Sequence, residues 1–305
     1  MNFILDIFAY PVSYILKGLS FVFGHNFALL MFMLTLVVNL LMLPLSIKTQ
    51  KSTAKQQMLR PKIDALKKKY GENMTQQEKM QLNQETQELY QKEGVSMAGG
   101  CLPLLIRFPF LLAVYRVVQS PLTYIFGLGT TLIETLAKSV GVEAKGYFEM
   151  QVLSKLTETT KGVTPDLWAQ ITSWNFKFFG IPLKDTPHFT FNFAEITSEQ
   201  LLLWIIPLFA FGAQFLTSLI SLKIQKKANP DQPSMAAMML SMPLLSLFLA
   251  FTFPAAVGLY WGFSSLVAGL LQAGVQMFYS PKRIMAQEQA KFILAEYNEE
   301  KQRIK

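Results

Sequence analysis

Apolar and polar residues along this chain are grouped in long blocks. Residues 27–47 and 201–222 contain no charged residue, and neither does the stretch from Gln232 to Ser280. As one helix the last stretch would be about 74 Å long, more than twice the roughly 30 Å of a bilayer core. It must therefore contain two spans, with the division at Phe253-Pro254. The pattern predicts an all-α membrane protein that crosses the bilayer several times.

The predicted organisation has five transmembrane helices, an N-terminal interfacial helix and a helical hairpin outside the membrane. Asp6, Pro11, Lys17 and Gly18 interrupt the first apolar stretch, which favours an amphipathic helix in the interface, with a poor span as the alternative. In chain order, the predicted segments are the external interfacial helix (1–26), TM1 (27–47), the cytoplasmic hairpin (48–98), TM2 (99–124), the extracellular region (125–200), TM3 (201–222), a cytoplasmic loop (223–233), TM4 (234–253), TM5 (254–279) and a cytoplasmic tail (280–305).

Shorter elements are predicted inside the polar segments. The hairpin has room for helices over 49–70 and 76–92, and Thr75 with Glu78 forms the pattern of a capping box at the start of the second. The extracellular region contains helical patterns at 131–140 and 165–174 and a strand-like pattern at 189–193.

Composition supports the membrane class and gives an orientation. Charged residues make up only 16% of the 305 positions, whereas soluble domains carry about 25%, and hydrophobic residues make up 51%. Most of the 28 basic residues lie in the hairpin, the 223–233 loop and the tail. The positive-inside rule therefore places these three segments in the cytoplasm and the N-terminus outside. With a single cysteine, Cys101, the chain forms no internal disulfide, so helix packing must hold the fold.

Arg107 is the costliest residue of the predicted spans. An arginine at a helix centre costs about 2.5–3.5 kcal/mol on insertion scales, and none of the five spans contains Asp or Glu to pair with it. Arg107 lies roughly 9 Å from the cytoplasmic end of its helix, so snorkelling is the simpler explanation. Arg116, near the other end of the same span, is predicted to be an interface anchor.

Polar stripes on three other spans favour a wet groove around this charge. Asn39 of TM1 lies at nearly the depth of Arg107. Each stripe taken alone is also explained by tight helix–helix packing. Together they predict a groove that opens to the cytoplasm and is closed on the outside. The candidate groove residues are Arg107, Asn39, Thr35, Gln214, Thr217, Ser218, Trp261, Ser265 and Gln272.

Several motifs make the chain resemble the YidC-type membrane protein insertase family, in its short five-span bacterial form. The motifs are Met42-Leu43-Pro44-Leu45, Met58-Leu59-Arg60-Pro61-Lys62-Ile63, Gly99-Gly100-Cys101-Leu102-Pro103-Leu104-Leu105-Ile106-Arg107-Phe108-Pro109, Phe178-Phe179-Gly180 and Phe253-Pro254-Ala255-Ala256-Val257-Gly258-Leu259-Tyr260-Trp261. Two features depart from the family. Its groove arginine usually stands where this chain has Asn39, with glutamine at the position of Arg107, and the segment near 130–170 is longer than in short relatives.

The resemblance implies a bacterial plasma-membrane insertase and chaperone for nascent membrane proteins. Their hydrophilic ends would enter the groove, and their apolar segments would leave along TM3 and TM5 into lipid. No cofactor, metal, catalytic residue or direct DNA binding is expected. The hairpin, through Arg60, Lys62 and Lys67, and the tail are candidate contacts for ribosomes, the signal recognition particle pathway and the Sec translocon. A small-solute transporter or channel is the main alternative, and a purely structural assembly factor is a further one.

Overall fold

The computed structural model describes residues 2–71, 74–95, 102–145, 148–189, 197–228 and 236–278, together with scattered helical positions of the tail between 283 and 301. Within the helices, the following side chains lie outside the described set: residues 2–5, 53, 54, 57, 60, 102–108, 224, 225, 227, 228 and 236–238. The predicted strand at 189–193 lies outside the described residues except for Phe189.

The described chain is almost entirely helical. Its elements in order are α1 (Asn2–Phe23), α2 (Phe27–Leu41), α3 (Leu43–Tyr70), α4 (Gln76–Lys92), α5 (Leu102–Gln119), α6 (Pro121–Tyr124), α7 (Thr130–Ser139), α8 (Phe148–Lys155), α9 (Pro165–Ser173), β1 (Lys177–Phe178), β2 (Ile181–Pro182), α10 (Ser198–Ala228), α11 (Ala236–Ala250) and α12 (Ala255–Phe278). The chain divides into two compact units, residues 1–40 with 107–269 and residues 41–106 with 270–305.

Three described helices are long and apolar enough to cross a bilayer, over Asp6–Phe23, Ser198–Lys223 and Ala255–Phe278. A fourth candidate is the pair Phe27–Leu41 and Leu43–Ser52, which is broken at Met42. The apolar helices Pro109–Gln119 and Met239–Ala250 are shorter. The described residues therefore contain three or four candidate spans, and the count of five stays a prediction.

The first helix differs from the sequence expectation. α1 continues unbroken through Pro11 and is apolar enough to span, although its interruptions favoured an interfacial position. A proline removes one backbone hydrogen bond, and here the apolar residues around it keep the helix continuous. α1 packs on α6, where Ser13 donates a hydrogen bond to the carbonyl of Tyr124 and the Tyr124 hydroxyl donates to Asp6. Its placement in the interface stays a prediction.

The first unit also contains a small domain between α5 and α10. α5 ends at Gln119 because Pro121 follows, and a residue before proline is biased away from helix. TM2 was predicted to continue to residue 124. Helices α6 to α9 then pack around buried apolar residues that include Leu122, Leu136 and Val152.

A two-stranded antiparallel hairpin follows α9, with Phe178 opposite Ile181. α7 and α9 lie within a residue of their predicted bounds. Sequence patterns did not predict the hairpin.

The second unit contains α3 and α4, which pack against each other. Leu59, Ile63 and Val95 form their buried core, with Leu89 and Tyr90 against it. The predicted capping box is present: the Thr75 hydroxyl accepts from the Glu78 backbone, and the Glu78 carboxylate accepts from the Thr75 backbone. The prediction that this helix runs from residue 76 to residue 92 is thus confirmed.

Candidate functional site

Residues 175–185, which contain the β1–β2 hairpin and are called the hairpin segment below, fix the starts of α2 and α12 in the first unit. The Phe27 backbone N–H donates to the Asn175 carbonyl at 3.0 Å, and Asn175 in turn donates to the His25 carbonyl. The Ala255 and Ala256 N–H groups donate to the carbonyls of Asp185 and Leu183. The first N–H groups of a helix have no partner inside it, so these bonds satisfy both helix ends. As a result, α2 and α12 run away from the same segment.

Four phenylalanine rings meet just past these helix starts. Phe263 of α12 lies 5.3 Å from the ring of Phe32 on α2, 5.7 Å from Phe209 on α10 and 5.9 Å from Phe178 of β1, with all three pairs edge to face. We call this group the aromatic hub. It joins α2, α10 and α12 near one end with apolar contacts, in the pairwise geometry that aromatic rings prefer.

Polar candidate residues follow the hub on each of the three helices. Thr35 and Asn39 come after Phe32 on α2, Gln214 comes after Phe209, and Ser265 comes after Phe263. Asn39 lies roughly 10 Å beyond Phe32 along the helix axis. The polar residues therefore share one side of the hub, away from the hairpin segment.

Thr35 and Asn39 are buried, with 0% and 5% of their surfaces exposed. The Thr35 hydroxyl donates to the Phe32 carbonyl at 2.6 Å, and the Asn39 amide nitrogen donates to the Thr35 carbonyl at 2.8 Å. These donors are satisfied by the same helix. The carboxamide oxygen of Asn39 accepts from no side chain that the structure describes, so it can receive an external donor.

Glycines bring α10 and α12 into close contact. A Cβ built on Gly262 would lie 2.3 Å from Cε1 of Phe209, and one built on Gly269 would lie 2.3 Å from Cγ2 of Thr217. Gly258 faces Ile206 in the same way, at 3.1 Å. We call Gly258, Gly262 and Gly269 the glycine seam. Small residues let membrane helices approach closely, and the 258/262 spacing of four carried a signal that the sequence analysis did not use.

The remaining candidates on these helices are partly exposed or exposed. Thr217 is half-buried and donates to the Gln214 carbonyl at 2.9 Å, and Ser218 beside it is also half-buried. Trp261 packs against Phe253 with ring centroids 6.2 Å apart. Gln272 is exposed and belongs to the second unit. Of these candidates, the structure places Thr217 against α12, at Gly269 of the glycine seam.

The predicted charged residues are only partly described. Arg107 is a residue of α5 and Arg60 a residue of α3. The side chains of both lie outside the described set. Lys62 is exposed and forms an ion pair with Glu93, while Lys67 is exposed on the last turn of α3. Since nothing describes the Arg107 side chain, its role in a groove stays a prediction.

Arg116 has a carboxylate partner that sequence reasoning missed. Its Nε lies 3.7 Å from Oδ1 of Asp6, and its guanidinium lies 6.0 Å from the Tyr124 ring centroid. Asp6 belongs to α1, so the contact joins α1 to α5. The role of Arg116 as an interface anchor stays a prediction.

Glu149 is a buried carboxylate in the 125–200 region. It is 4% exposed and accepts hydrogen bonds from the backbone N–H and the hydroxyl of Thr123. Burial raises the pKa of Glu149 above its ordinary value, while the Thr123 hydrogen bonds and the nearby Arg116 charge oppose this shift. It ties α8 to α6 and lies apart from the hub. Among the described residues, no three His, Cys, Asp or Glu side chains are grouped as metal ligands would be.

These features define a helical membrane protein with several apolar helices and a set of polar side chains beyond an aromatic hub. The family model described as "60Kd inner membrane protein" matches residues 18–283. The chain belongs to this family.

Similar proteins include three that are named membrane protein insertases. YidC of Oceanobacillus iheyensis is 29% identical over 84% of this chain and 76% of its own length. YidC 2 of Listeria innocua is 30% identical over 83% of this chain and 64% of its own length. MisCA of Bacillus subtilis is 28% identical over 83% of this chain and 71% of its own length. The family resemblance inferred from the sequence motifs is thus confirmed.

Proposed function

We propose that this chain is a membrane protein insertase, which receives nascent membrane proteins and releases their apolar segments into the bilayer. The family membership and the names of its relatives support this activity. The partition of apolar segments into lipid supplies the free energy, so the activity needs no nucleotide.

One observation carries the proposed mechanism: the candidate residues Thr35, Asn39, Gln214, Thr217 and Ser265 all lie on the same side of the aromatic hub. A hydrophilic segment that enters from that side meets the half-buried Gln214, Thr217 and Ser265, and the apolar hub rings block a continuous wet path beyond them. The apolar rings of Phe32, Phe209 and Phe263 interrupt the polar residues along the three helices, which favours a groove over the transporter alternative.

Arg107 supplies the positive charge of this groove. Its helix neighbours are apolar, and the carboxamide oxygen of Asn39, which accepts no hydrogen bond from the described side chains, is a suitable acceptor for a guanidinium. At roughly 8 Å and an effective dielectric constant near 20, one such charge attracts an acidic side chain by about 2 kcal/mol. That energy corresponds to about a thirtyfold enrichment of acidic segments.

The topology completes the proposal. Five spans, with the N-terminus outside and the hairpin and tail in the cytoplasm, place the polar ends of α2, α10 and α12 toward the ribosome side of a bacterial plasma membrane. Arg60, Lys62 and Lys67 of the cytoplasmic helical hairpin are then the proposed contacts for targeting factors, the ribosome or the Sec translocon.

Moving the charge tests the groove. Arg107→Ala should lower insertion of a single-span substrate with an acidic external end by about tenfold or more, while Arg107→Lys retains most of it. The double variant Asn39→Arg with Arg107→Gln restores the charge from the neighbouring helix and should recover insertion. Full activity of Arg107→Ala, measured by protease protection of the substrate in vesicles, would contradict the mechanism.

Cysteine labelling tests the one-sidedness. In a background without Cys101, single cysteines at positions 39, 107 and 214 should react with a membrane-impermeant thiol reagent from the cytoplasmic side only. Equal reaction from outside would favour a channel, and no reaction from either side would show that these positions are dry.

A further inference from the structure

The tip of the β1–β2 hairpin is strained and apolar. Phe179 has φ +48°, and the following Gly180 has φ +86°, so two residues with positive φ join the strands. Such turns strongly favour Asn-Gly, because most side chains avoid the left-handed region at a cost of about 1–2 kcal/mol. Phe179 is nevertheless 92% exposed, and its ring contacts that of the neighbouring Phe178 edge to face, with centroids 4.7 Å apart. Strain at an exposed aromatic residue indicates a contact outside the chain.

A groove lies directly beside this tip. It has a volume of about 670 Å³ and is bounded by the start of α2, the hairpin and α12. Its apolar wall consists of Phe32, Phe178 and Phe263 of the aromatic hub together with Leu29 and Phe179.

The polar rim of the groove offers hydrogen-bond donors. The carboxamide oxygen of Asn26 accepts from the Leu29 N–H at 3.1 Å, and that of Asn175 accepts from the Lys177 N–H at 3.0 Å. Both amide nitrogens are therefore left as donors, without a partner among the described residues. Lys177 is exposed at the same rim, and none of the described residues that line the groove carries a carboxylate. The rim thus offers three donor groups, the two amide nitrogens and the positively charged Lys177 ammonium. Such a set attracts an anion and repels a cation.

We propose that this groove binds an anionic phospholipid of the leaflet in which α2 begins. The phosphate lies against Lys177 and the two asparagine amides, and an acyl chain lies along the hub rings. Phe179 enters the interfacial layer beside the lipid, where aromatic side chains are favoured. The anion-selective rim and the apolar wall together favour a phospholipid over a free phosphate ion, because only the phospholipid has an acyl chain that can pack on the rings. The proposal does not depend on the insertase activity.

Lipid retention tests the rim. The purified wild-type protein is stripped of lipid and titrated in detergent with phosphatidylglycerol or with phosphatidylcholine. Native mass spectrometry should show one bound lipid, with a higher affinity for phosphatidylglycerol than for phosphatidylcholine. Lys177→Gln should weaken phosphatidylglycerol binding by about fivefold, the equivalent of roughly 1 kcal/mol per lysine near an anionic surface. Lys155→Gln removes an exposed lysine of the same region and serves as the matched control. Equal effects of the two variants, or none, would overturn the site.

Phe179→Asn separates anchoring from simple turn formation. Asparagine tolerates positive φ, so the variant should raise the apparent melting temperature while it lowers phospholipid retention in the same samples. Unchanged retention, or a lower melting temperature, would overturn the role of Phe179.

A photoreactive phenylalanine analogue at position 179 then identifies the occupant in vesicles. Crosslinks to phospholipid support the proposal, whereas crosslinks only to an inserting polypeptide overturn it. The same analogue at Thr172, which is exposed on α9, should crosslink no lipid.

Discussion

The glycine seam makes a quantitative prediction about the contact between α10 and α12. In Gly262→Ala, the new Cβ would lie 2.3 Å from Cε1 and 2.6 Å from Cδ1 of Phe209, more than 1 Å closer than an ordinary contact. The Phe209 ring cannot turn away freely, because it also packs edge to face on Phe263. α10 and α12 must therefore move apart by about 1 Å, or the ring must leave its preferred rotamer. Overpacking of this kind costs about 1–3 kcal/mol.

Gly212→Ala is the matched control. Gly212 lies inside α10, and a Cβ at this position would meet nothing within 4 Å. Both variants gain the same helix propensity of about 1 kcal/mol, so the difference between them isolates the overpacking. At roughly 2–4 °C per kcal/mol, Gly262→Ala should melt about 2–12 °C below Gly212→Ala in a fluorescence-detected thermal scan in detergent.

A double-mutant cycle checks that the ring is the cause. Phe209→Leu should cost less stability in the Gly262→Ala background than in the wild type, because it removes the clashing atoms. Equal melting temperatures for Gly262→Ala and Gly212→Ala, or strict additivity with Phe209→Leu, would refute the seam as a close contact.

Three further predictions concern other parts of the chain. Gly269→Ala should also destabilise, and Thr217→Ser should reverse most of the loss because it deletes the methyl group that lies 2.3 Å from the new Cβ; thermal scans measure both. Thr75→Ala should cost about 1 kcal/mol and speed amide exchange in the first turn of α4, whereas Thr86→Ala within that helix should leave the first turn unchanged. Burial raises the folded-state pKa of Glu149, so its contribution to stability is most favourable below the unfolded-state pKa and falls as pH rises through the folded-state pKa. Amide exchange in α6 and α8 should therefore accelerate as pH rises across this window. Glu149→Gln should remove that pH dependence. An unchanged pH profile in Glu149→Gln would contradict the assignment.

Local sequence signals predicted local structure well. The Thr75–Glu78 pair fixed the start of α4, because both hydrogen bonds of a capping box come from residues three positions apart. The end of α5 at Gln119 was also available from Pro121, and the prediction of a span to residue 124 gave too much weight to hydrophobicity. Such features depend on a few neighbouring residues, so one sequence is enough to show them.

Contacts between distant residues could not be predicted in this way. Asp6 and Arg116 are far apart in the sequence, and nothing local indicated that an aspartate in α1 would lie beside an arginine in α5. The β1–β2 hairpin was missed because its turn has Phe179 where the usual signal is asparagine. Only the resemblance of Phe178-Phe179-Gly180 to the family pointed to that segment.

The aromatic hub connects the two sites proposed for this protein. Phe32 and Phe263 form the wall of the lipid groove on one side, and on the other side Thr35, Asn39 and Ser265 begin the polar face. A ring displaced toward either side must therefore change both environments. If the hub closes the groove against the opposite leaflet, a lipid seated against Phe263 stabilises the closed arrangement, because it occupies the space into which the ring would move. Bound phospholipid and a hydrophilic segment in the polar groove then share the same rings, and we expect the binding of one to change the affinity for the other if the ring position differs between the two bound states.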